Sequence, residues 1–130
     1  MKSTKVDIVK NYLKYLQDGN IEKILTLFAV NAIVTSPIYG KIRAKEFYTK
    51  LINDTKTSKI QLRKVFKEID SGTIAVYFNY LWITVQNQRI EFDVIDIIEF
   101  NNTNEIVNLK IIYDAEKSRK KLNVYSVNNK

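Results

Sequence analysis

The chain contains no cysteine and no histidine among its 130 residues. The missing cysteines exclude a disulfide framework, a thiolate nucleophile and a cysteine-type zinc site. The missing histidines exclude histidine triads, histidine-ligated metals and imidazole base catalysis. A carboxylate-only site for a hard cation stays open, although no run of residues matches a calcium-binding loop. We therefore expect no metal and no cofactor, and any acid–base chemistry falls to Asp, Glu, Tyr or Lys.

Proline and glycine are also scarce, with one proline and three glycines. This composition excludes collagen-like and low-complexity chains. No stretch approaches the roughly 18 uncharged apolar residues of a membrane span, and the N-terminal sequence MKSTKVDIVK lacks the apolar core of a signal peptide. We expect a cytoplasmic protein with no membrane partner. Its length fits a single domain, residues 1–116, followed by a tail.

The positive charge of the chain is concentrated at its C-terminal end. The net charge is +7, but residues 115–130 carry +4 of it, which leaves only +3 for the preceding 114 residues. A basic tail, residues 117–130, on a near-neutral body favours a solvated end over a nucleic-acid groove. Nucleic acid is therefore not the partner that the sequence favours.

The first third of the chain has a helical period. Apolar residues at i, i+3, i+4 and i+7 form one stripe, made of Val9, Tyr12, Leu13 and Leu16. Thr4 and Asp7 resemble a capping box at its start, and Gly19 is a stop signal at its end. Asn20 can then cap a short second helix. A short β-branched strand at 32–35 and a third helix over about 44–53 follow.

The second half of the chain changes to the period of β-strands. The segments at 60–69, 73–86, 89–100 and 105–113 are rich in β-branched and aromatic residues and are separated by turn signals, Asn87-Gln88 among them. Links this short join antiparallel neighbours, so a four-strand meander is predicted. The second strand would span about 45 Å if straight, so the sheet must bend. Helices followed by a meander make an α+β fold.

Both faces of the 73–86 strand are apolar, so the sheet needs two covers. We expect the helices to cover the face with Leu81 and Ile83, and Asn79 to lie on that face as well. The other face would then need a second subunit. We therefore predict a homodimer through a face that carries Phe78, Tyr80, Trp82, Ile95 and Ile97.

Asp96 interrupts an apolar strand face. It follows Ile90, Phe92 and Val94 in alternation, and burial of an ionised carboxylate costs several kcal/mol unless the group is paired. Asp96 is therefore either a protonated hydrogen-bond donor in a site, or a structural group bonded to a backbone N–H or an arginine. A register slip would instead expose it. Tyr12 is the second candidate, because its ring lies in the apolar stripe and its hydroxyl needs a partner.

Two stretches resemble the nuclear transport factor 2-like (SnoaL-like) superfamily. The first is NYLKYLQDGNIEKILTLFAVNAIVTSPIYG, which contains a helix, a glycine, a short helix ending in Leu-Phe and an Asn-Ala-x-Val strand. The second is VIDIIEFNNTNEIVNLKIIYD, which resembles the closing hairpin of the family. The resemblance spans about residues 5–114. It implies a cystatin-like curved antiparallel sheet wrapped around the N-terminal helices, which forms a cone with an apolar pocket and often dimerises.

Within that superfamily the residues are most similar to ketosteroid isomerase. Tyr12 matches the tyrosine of its first helix and Asp96 its protonated aspartate, which together form an oxyanion hole. The family's carboxylate base before the strand-ending proline is replaced here by Ser36, and a serine hydroxyl without an activating partner is a poor base. The resemblance implies catalytic roles for Tyr12 and Asp96. The expected walls of the pocket are Phe28, Ser36, Phe47, Asn79, Leu81, Ile83, Val94, Leu109, Ile111 and Tyr113.

Two functions follow from this resemblance and stay open. One is a small-molecule-binding domain for an apolar or aromatic carbonyl or phenol compound, acting as a binder or as an isomerase, dehydratase or cyclase without the usual base. The other is a non-catalytic, dimeric protein-interaction module whose cone is filled by its own side chains.

Overall fold

Three helices form where the sequence predicts them in the computed structural model, which describes residues 4–116. They are α1 (Lys5–Asp18), α2 (Ile21–Thr26) and α3 (Ala44–Asp54). The Thr4 hydroxyl accepts the N–H of Asp7 at 3.1 Å, and the Asp7 carboxylate accepts the N–H of Thr4 at 3.2 Å, so the capping box is confirmed. Gly19 ends α1 in the left-handed region at φ 67°. The side chain of Asn20 caps α2 as expected.

Six strands form one sheet in the described part of the chain. They are β1 (Phe28–Ser36), β2 (Gly40–Arg43), β3 (Thr55–Lys67), β4 (Ile74–Thr84), β5 (Arg89–Phe100) and β6 (Ile106–Ile112). Their order across the sheet is β2-β1-β6-β5-β4-β3. The antiparallel meander from β3 to β6 is confirmed. The sequence did not indicate that β1 pairs in parallel with β6, which joins the two halves of the chain.

The sheet curves around the helices, as the resemblance implies. Helix α3 contacts β1 and β2 at one edge of the sheet and β3 at the other, so this one helix bridges the two edges. Register irregularities between Leu62 and Lys64 in β3 and between Phe28 and Ile33 in β1 mark where strands bend. The predicted α+β cone with an inner, helix-covered face is confirmed.

The prediction for the two faces of β4 is wrong. The inner, buried residues of this strand are Ile74, Val76, Phe78, Tyr80, Trp82 and Thr84. They pair with the inner face of β5, with Phe78 opposite Val94 and Val76 opposite Asp96. The outer face therefore carries the alternate residues, Tyr77, Asn79, Leu81 and Ile83.

The β4–β5 turn explains this error. A two-residue turn at Asn87-Gln88 would place Leu81 opposite Val94. The turn instead has three residues, because the N–H of Thr84 bonds the carbonyl of Gln88 at 2.9 Å and Asn87 takes the left-handed conformation at φ 63°. The two registers differ by three residues, since Phe78 and not Leu81 lies opposite Val94, and any odd shift of register moves every side chain of a strand to the other face.

The predicted dimer surface must be corrected for the same reason. Phe78, Tyr80 and Trp82 are buried inside the cone and cannot contact a second subunit. Ile95 and Ile97 do lie on the outer face, and Ile95 is 41% exposed.

No helix within residues 4–116 is long and apolar enough to cross a membrane. The predicted basic tail, residues 117–130, lies outside the described residues.

The end of α1 allows a direct test of the fold. We expect Gly19→Ala to lower the free energy of unfolding by about 1 kcal/mol, because a Cβ is strained at positive φ. Urea unfolding followed by circular dichroism measures this change. Lys10→Ala, on the exposed face of the same helix, is the matched control and should change stability by less than about 0.5 kcal/mol. Equal values for the two variants would contradict the left-handed cap.

Candidate functional site

Asp96 lies in the middle of β5 on the inner face of the sheet, and only 1% of its surface is exposed. Its Oδ1 is buried without a hydrogen-bond partner among the described residues. Burial raises the pKa of this carboxyl well above its ordinary value, so the neutral acid is favoured. A neutral carboxyl group carries one O–H donor. The neutral group could therefore act as a donor, and neither the predicted backbone bond nor the predicted arginine pair is seen between residues 4 and 116.

Tyr12 meets a second tyrosine at the bottom of the cone. The hydroxyl oxygens of Tyr12, from α1, and Tyr48, from α3, are 2.6 Å apart, and both side chains are fully buried. Burial raises the pKa of both phenols well above the ordinary value. Both tyrosines therefore stay neutral. When Tyr48 donates to Tyr12, the proton of Tyr12 is free to point towards a ligand.

The arrangement of the aromatic rings fixes this tyrosine pair. Phe28 packs against both rings, with centroid distances of 6.0 Å to Tyr12 and 5.4 Å to Tyr48. Phe47 packs edge-on against Tyr48 at 4.8 Å. Tyr48 does not itself line the cavity, so it is a positioning residue for Tyr12. This role was not predicted from the sequence, although a buried tyrosine hydroxyl on the stripe of α3 was a signal for it.

A cavity of about 50 Å³ lies in front of Tyr12 and Asp96. Its walls are mostly apolar and aromatic. They comprise Tyr12, Leu16, Ser36, Ile38, Tyr39, Phe47, Leu51, Phe78, Tyr80, Trp82, Phe92, Val94, Asp96, Ile111 and Tyr113. Apolar walls with a few convergent polar groups are typical of small-molecule sites.

The structure brings together most of the residues predicted for the site. Tyr12, Ser36, Phe47, Val94, Asp96, Ile111 and Tyr113 line the cavity. Phe28 and Leu109 are buried on the inner side but do not reach it.

The placement of Asn79, Leu81 and Ile83 in the pocket is wrong. All three lie on the outer face of β4, because the turn shifts the register. The Asn79 amide donates there to the Asp93 carboxylate at 3.2 Å.

Ser36 stands at the end of β1, where the family resemblance places a base. It is buried, and its hydroxyl oxygen accepts the N–H of Tyr39 at 3.0 Å. This bond closes the turn after β1. No histidine exists to activate the serine, so Ser36 shapes the cavity wall but is a poor general base.

Eight wall residues were missed as site residues, namely Leu16, Ile38, Tyr39, Leu51, Phe92, Phe78, Tyr80 and Trp82. The last three alternate along β4, and the alternation itself was the available signal. The Tyr39 hydroxyl donates to the Asp54 carboxylate at 2.5 Å, and burial, followed by this hydrogen bond, raises the pKa of Tyr39. Burial also raises the pKa of Tyr80, to about 12.

Carboxylates do not gather into a metal site in the described part of the chain. Between residues 4 and 116, no three acidic side chains lie close enough to hold a metal ion.

Known proteins resemble this chain in structure but not in sequence. No protein-family model matches the sequence, and no curated protein is significantly similar to it. The structure of TerC co-crystallised with polyporic acid is 13% identical with a TM-score of 0.75, over 91% of this chain and 97% of that chain. An NTF2-like protein from Burkholderia pseudomallei is 12% identical with a TM-score of 0.77, over 92% of this chain and 97% of that chain.

A third structure agrees on the architecture. A cystatin-fold protein from Novosphingobium aromaticivorans is 8% identical with a TM-score of 0.72, over 85% of this chain and 99% of that chain. Identities this low show the fold and leave the activity open. The curved sheet, the three helices and these likenesses identify the chain as having the NTF2-like fold.

Proposed function

We propose that the protein binds a small apolar or aromatic molecule through a carbonyl or phenol oxygen, and that Tyr12 and Asp96 donate hydrogen bonds to this oxygen. The observation that carries the proposal is the buried Oδ1 of Asp96, which has no hydrogen-bond partner among the described residues and lies in a mostly apolar and aromatic cavity. A buried polar group without a partner costs free energy comparable to a lost hydrogen bond. A ligand oxygen would remove that cost.

The proposal also assigns the form in which such a ligand binds. Two neutral donors in apolar surroundings stabilise negative charge on an oxygen more strongly than a neutral oxygen. A phenol would therefore bind with phenolate character. The likeness to TerC, which was co-crystallised with polyporic acid, supports a small organic ligand.

The same donors supply electrophilic activation to a carbonyl compound. One such donor contributes about 3–4 kcal/mol to transition-state stabilisation in well-studied enzymes. Isomerisation, dehydration or cyclisation of a carbonyl compound is the reaction class that this activation suits. Since Ser36 replaces the usual base, we propose binding as the function and activation as the chemistry that the donor pair adds.

Titration with 2-naphthol tests the donor pair. We expect wild-type protein to bind it with the fluorescence spectrum of the phenolate. Asp96→Asn and Tyr12→Phe should each weaken binding by about tenfold or more, because each loses a hydrogen bond to a charged oxygen. Asp93→Asn, on the outer face of the same strand, is the control and should bind as wild type does. Absence of binding at about 1 mM ligand would contradict the proposal.

The pKa of Asp96 makes a separate prediction for stability. Folded Asp96 keeps a proton that the unfolded chain loses above the ordinary aspartate pKa, because burial raises its pKa. Its contribution to the free energy of unfolding therefore falls as pH rises, by at most about 1.4 kcal/mol per pH unit. Asn does not titrate, so Asp96→Asn removes this decrease in the free energy of unfolding. We expect the stability of this variant relative to wild type to grow between about pH 4 and about pH 7.

Urea unfolding of both proteins at several pH values in that range measures the difference. Other titrating groups cancel in the comparison of the two chains. A difference that stays constant with pH would mean that Asp96 is ionised in the folded protein.

The outer sheet face favours a second candidate function, a dimeric interaction module. Tyr77, Ile95 and Ile112 are directly opposite one another across β4, β5 and β6, and Ile95 and Ile112 are 41% and 45% exposed. An apolar row on a curved sheet is suited to a second copy of the same surface. We propose that the homodimer predicted from the sequence forms through this row.

Sedimentation velocity at micromolar concentration tests the dimer. We expect wild-type protein to sediment as a dimer and Ile95→Lys as a monomer, because a lysine in the row would bury a charge. Ile69→Lys changes an isoleucine that is 96% exposed between β3 and β4, and it should leave the dimer intact. A monomeric wild type would remove this candidate.

A further inference from the structure

A second pocket lies directly behind the aromatic cavity. It has a volume of about 230 Å³ and lies among the ends of α1 and α3 and the start of β3. Polar residues contribute much of its lining, including Gln17, Asp18, Thr55, Lys56 and Ser58. The pocket is thus larger and more polar than the cavity that holds Tyr12 and Asp96.

Three residues belong to the walls of both spaces, namely Leu16, Leu51 and Tyr80. Tyr80 stands on the inner face of β4 with its ring edge-on to Phe92, at a centroid distance of 5.5 Å. Its hydroxyl reaches Ser58, with 2.9 Å between the two oxygens. The ring of Tyr80 therefore separates the two spaces, and one hydrogen bond to β3 holds its outer end.

The aromatic cavity has no room for a further substituent on an aromatic ligand while the ring of Tyr80 stays in place. Its volume is about 50 Å³, whereas an apolar cavity of about 150 Å³ accommodates benzene. Leu16 and Leu51 are parts of helices that pack against the sheet. Tyr80 is the shared wall residue whose side chain is held by a hydrogen bond, so its rotation would join the two spaces at the cost of that bond and of its edge-on contacts with Phe78 and Phe92.

We propose that Tyr80 is a movable partition, and that the joined space takes a ligand of two parts: an aromatic phenol or carbonyl ring, and an uncharged substituent that ends in a hydroxyl. The proposal rests on the proposed function, since the ring oxygen would meet Tyr12 and Asp96. The substituent would enter the second pocket, where its hydroxyl replaces that of Tyr80 as the partner of Ser58.

The charges around the second pocket favour an uncharged substituent. Asp18 and Lys56 have opposite charges, so neither sign of ligand charge is favoured. The Lys56 ammonium also donates to the Asn87 side chain at 2.8 Å. Thr55 is occupied as well, because its hydroxyl donates to the Leu51 carbonyl and accepts the indole N–H of Trp82. Ser58 is the polar group that rotation of Tyr80 would release.

Three probes distinguish this inference from the proposed function. They are 2-naphthol, 2-naphthol with a 2-hydroxyethyl group at carbon 6, and 2-naphthol with a propyl group at carbon 6. The two substituted probes differ only in a hydroxyl that replaces a methyl group. We expect wild-type protein to bind both substituted probes and to prefer the hydroxyethyl probe.

Two conservative variants test the two parts of the proposal. Ser58→Ala should reduce the preference for the hydroxyethyl over the propyl probe by about fivefold, the effect of one lost hydrogen bond. Tyr80→Phe keeps the ring but removes its bond to Ser58, so it should bind both substituted probes about fivefold more tightly than wild type. Ser71→Ala, in the loop before β4, is the control for Ser58→Ala and should leave the preference unchanged.

The outcomes separate the two claims. Wild-type protein that binds 2-naphthol but excludes both substituted probes overturns the movable partition and leaves the donor pair intact. An unchanged probe preference in Ser58→Ala overturns the role of Ser58. Unchanged affinities in Tyr80→Phe overturn the claim that the Tyr80–Ser58 hydrogen bond holds the partition in place. Failure of all three probes to bind wild type overturns the proposed function itself.

Discussion

The register between β4 and β5 determines which side chains line the interior of this protein. With Val76 opposite Asp96 and Phe78 opposite Val94, one face gathers the aromatic side chains of β4 around a single carboxyl group. The alternate register would place Asn79, Leu81 and Ile83 there instead. A three-residue turn that ends with Asn87 in the left-handed region selects between these two interiors.

Burial of Asp96 is tolerable because the group can be neutral. An ionised carboxylate in these surroundings would cost several kcal/mol, and no cation among the described residues is bonded to it. Protonation removes the charge. The free-energy cost that remains is the smaller one of burying a neutral O–H group whose hydrogen bond is not used. The Tyr12–Tyr48 pair shows the same principle, because each buried hydroxyl is partnered and neither ionises. The floor of the cone is therefore polar but uncharged.

Much of the local structure could be predicted from residue patterns. Thr4, Gly19 and Asn20 marked helix ends through side-chain and backbone chemistry that acts over a few residues. The resemblance to NTF2-like proteins correctly implied the cone, and the apolar neighbours of Asp96 indicated its burial.

Side-chain direction on β4 could not be predicted in this way, because both faces are apolar and only the turn conformation distinguishes them. Tyr48 and Tyr80 were missed for a related reason. Their roles depend on contacts with Tyr12 and Ser58, which are 36 and 22 residues distant in sequence.

The parallel pairing of β1 with β6 also affects how the chain folds. Strand β1, which begins at Phe28, pairs on the side nearer the centre of the sheet with β6, which begins at Ile106. Most of the chain must therefore be synthesised before this pair can form. Contacts of such large sequence separation slow folding, because a long loop must close first. Until then the edge of β1 that faces β6 is an unpaired β-edge, the kind of surface that associates with other chains.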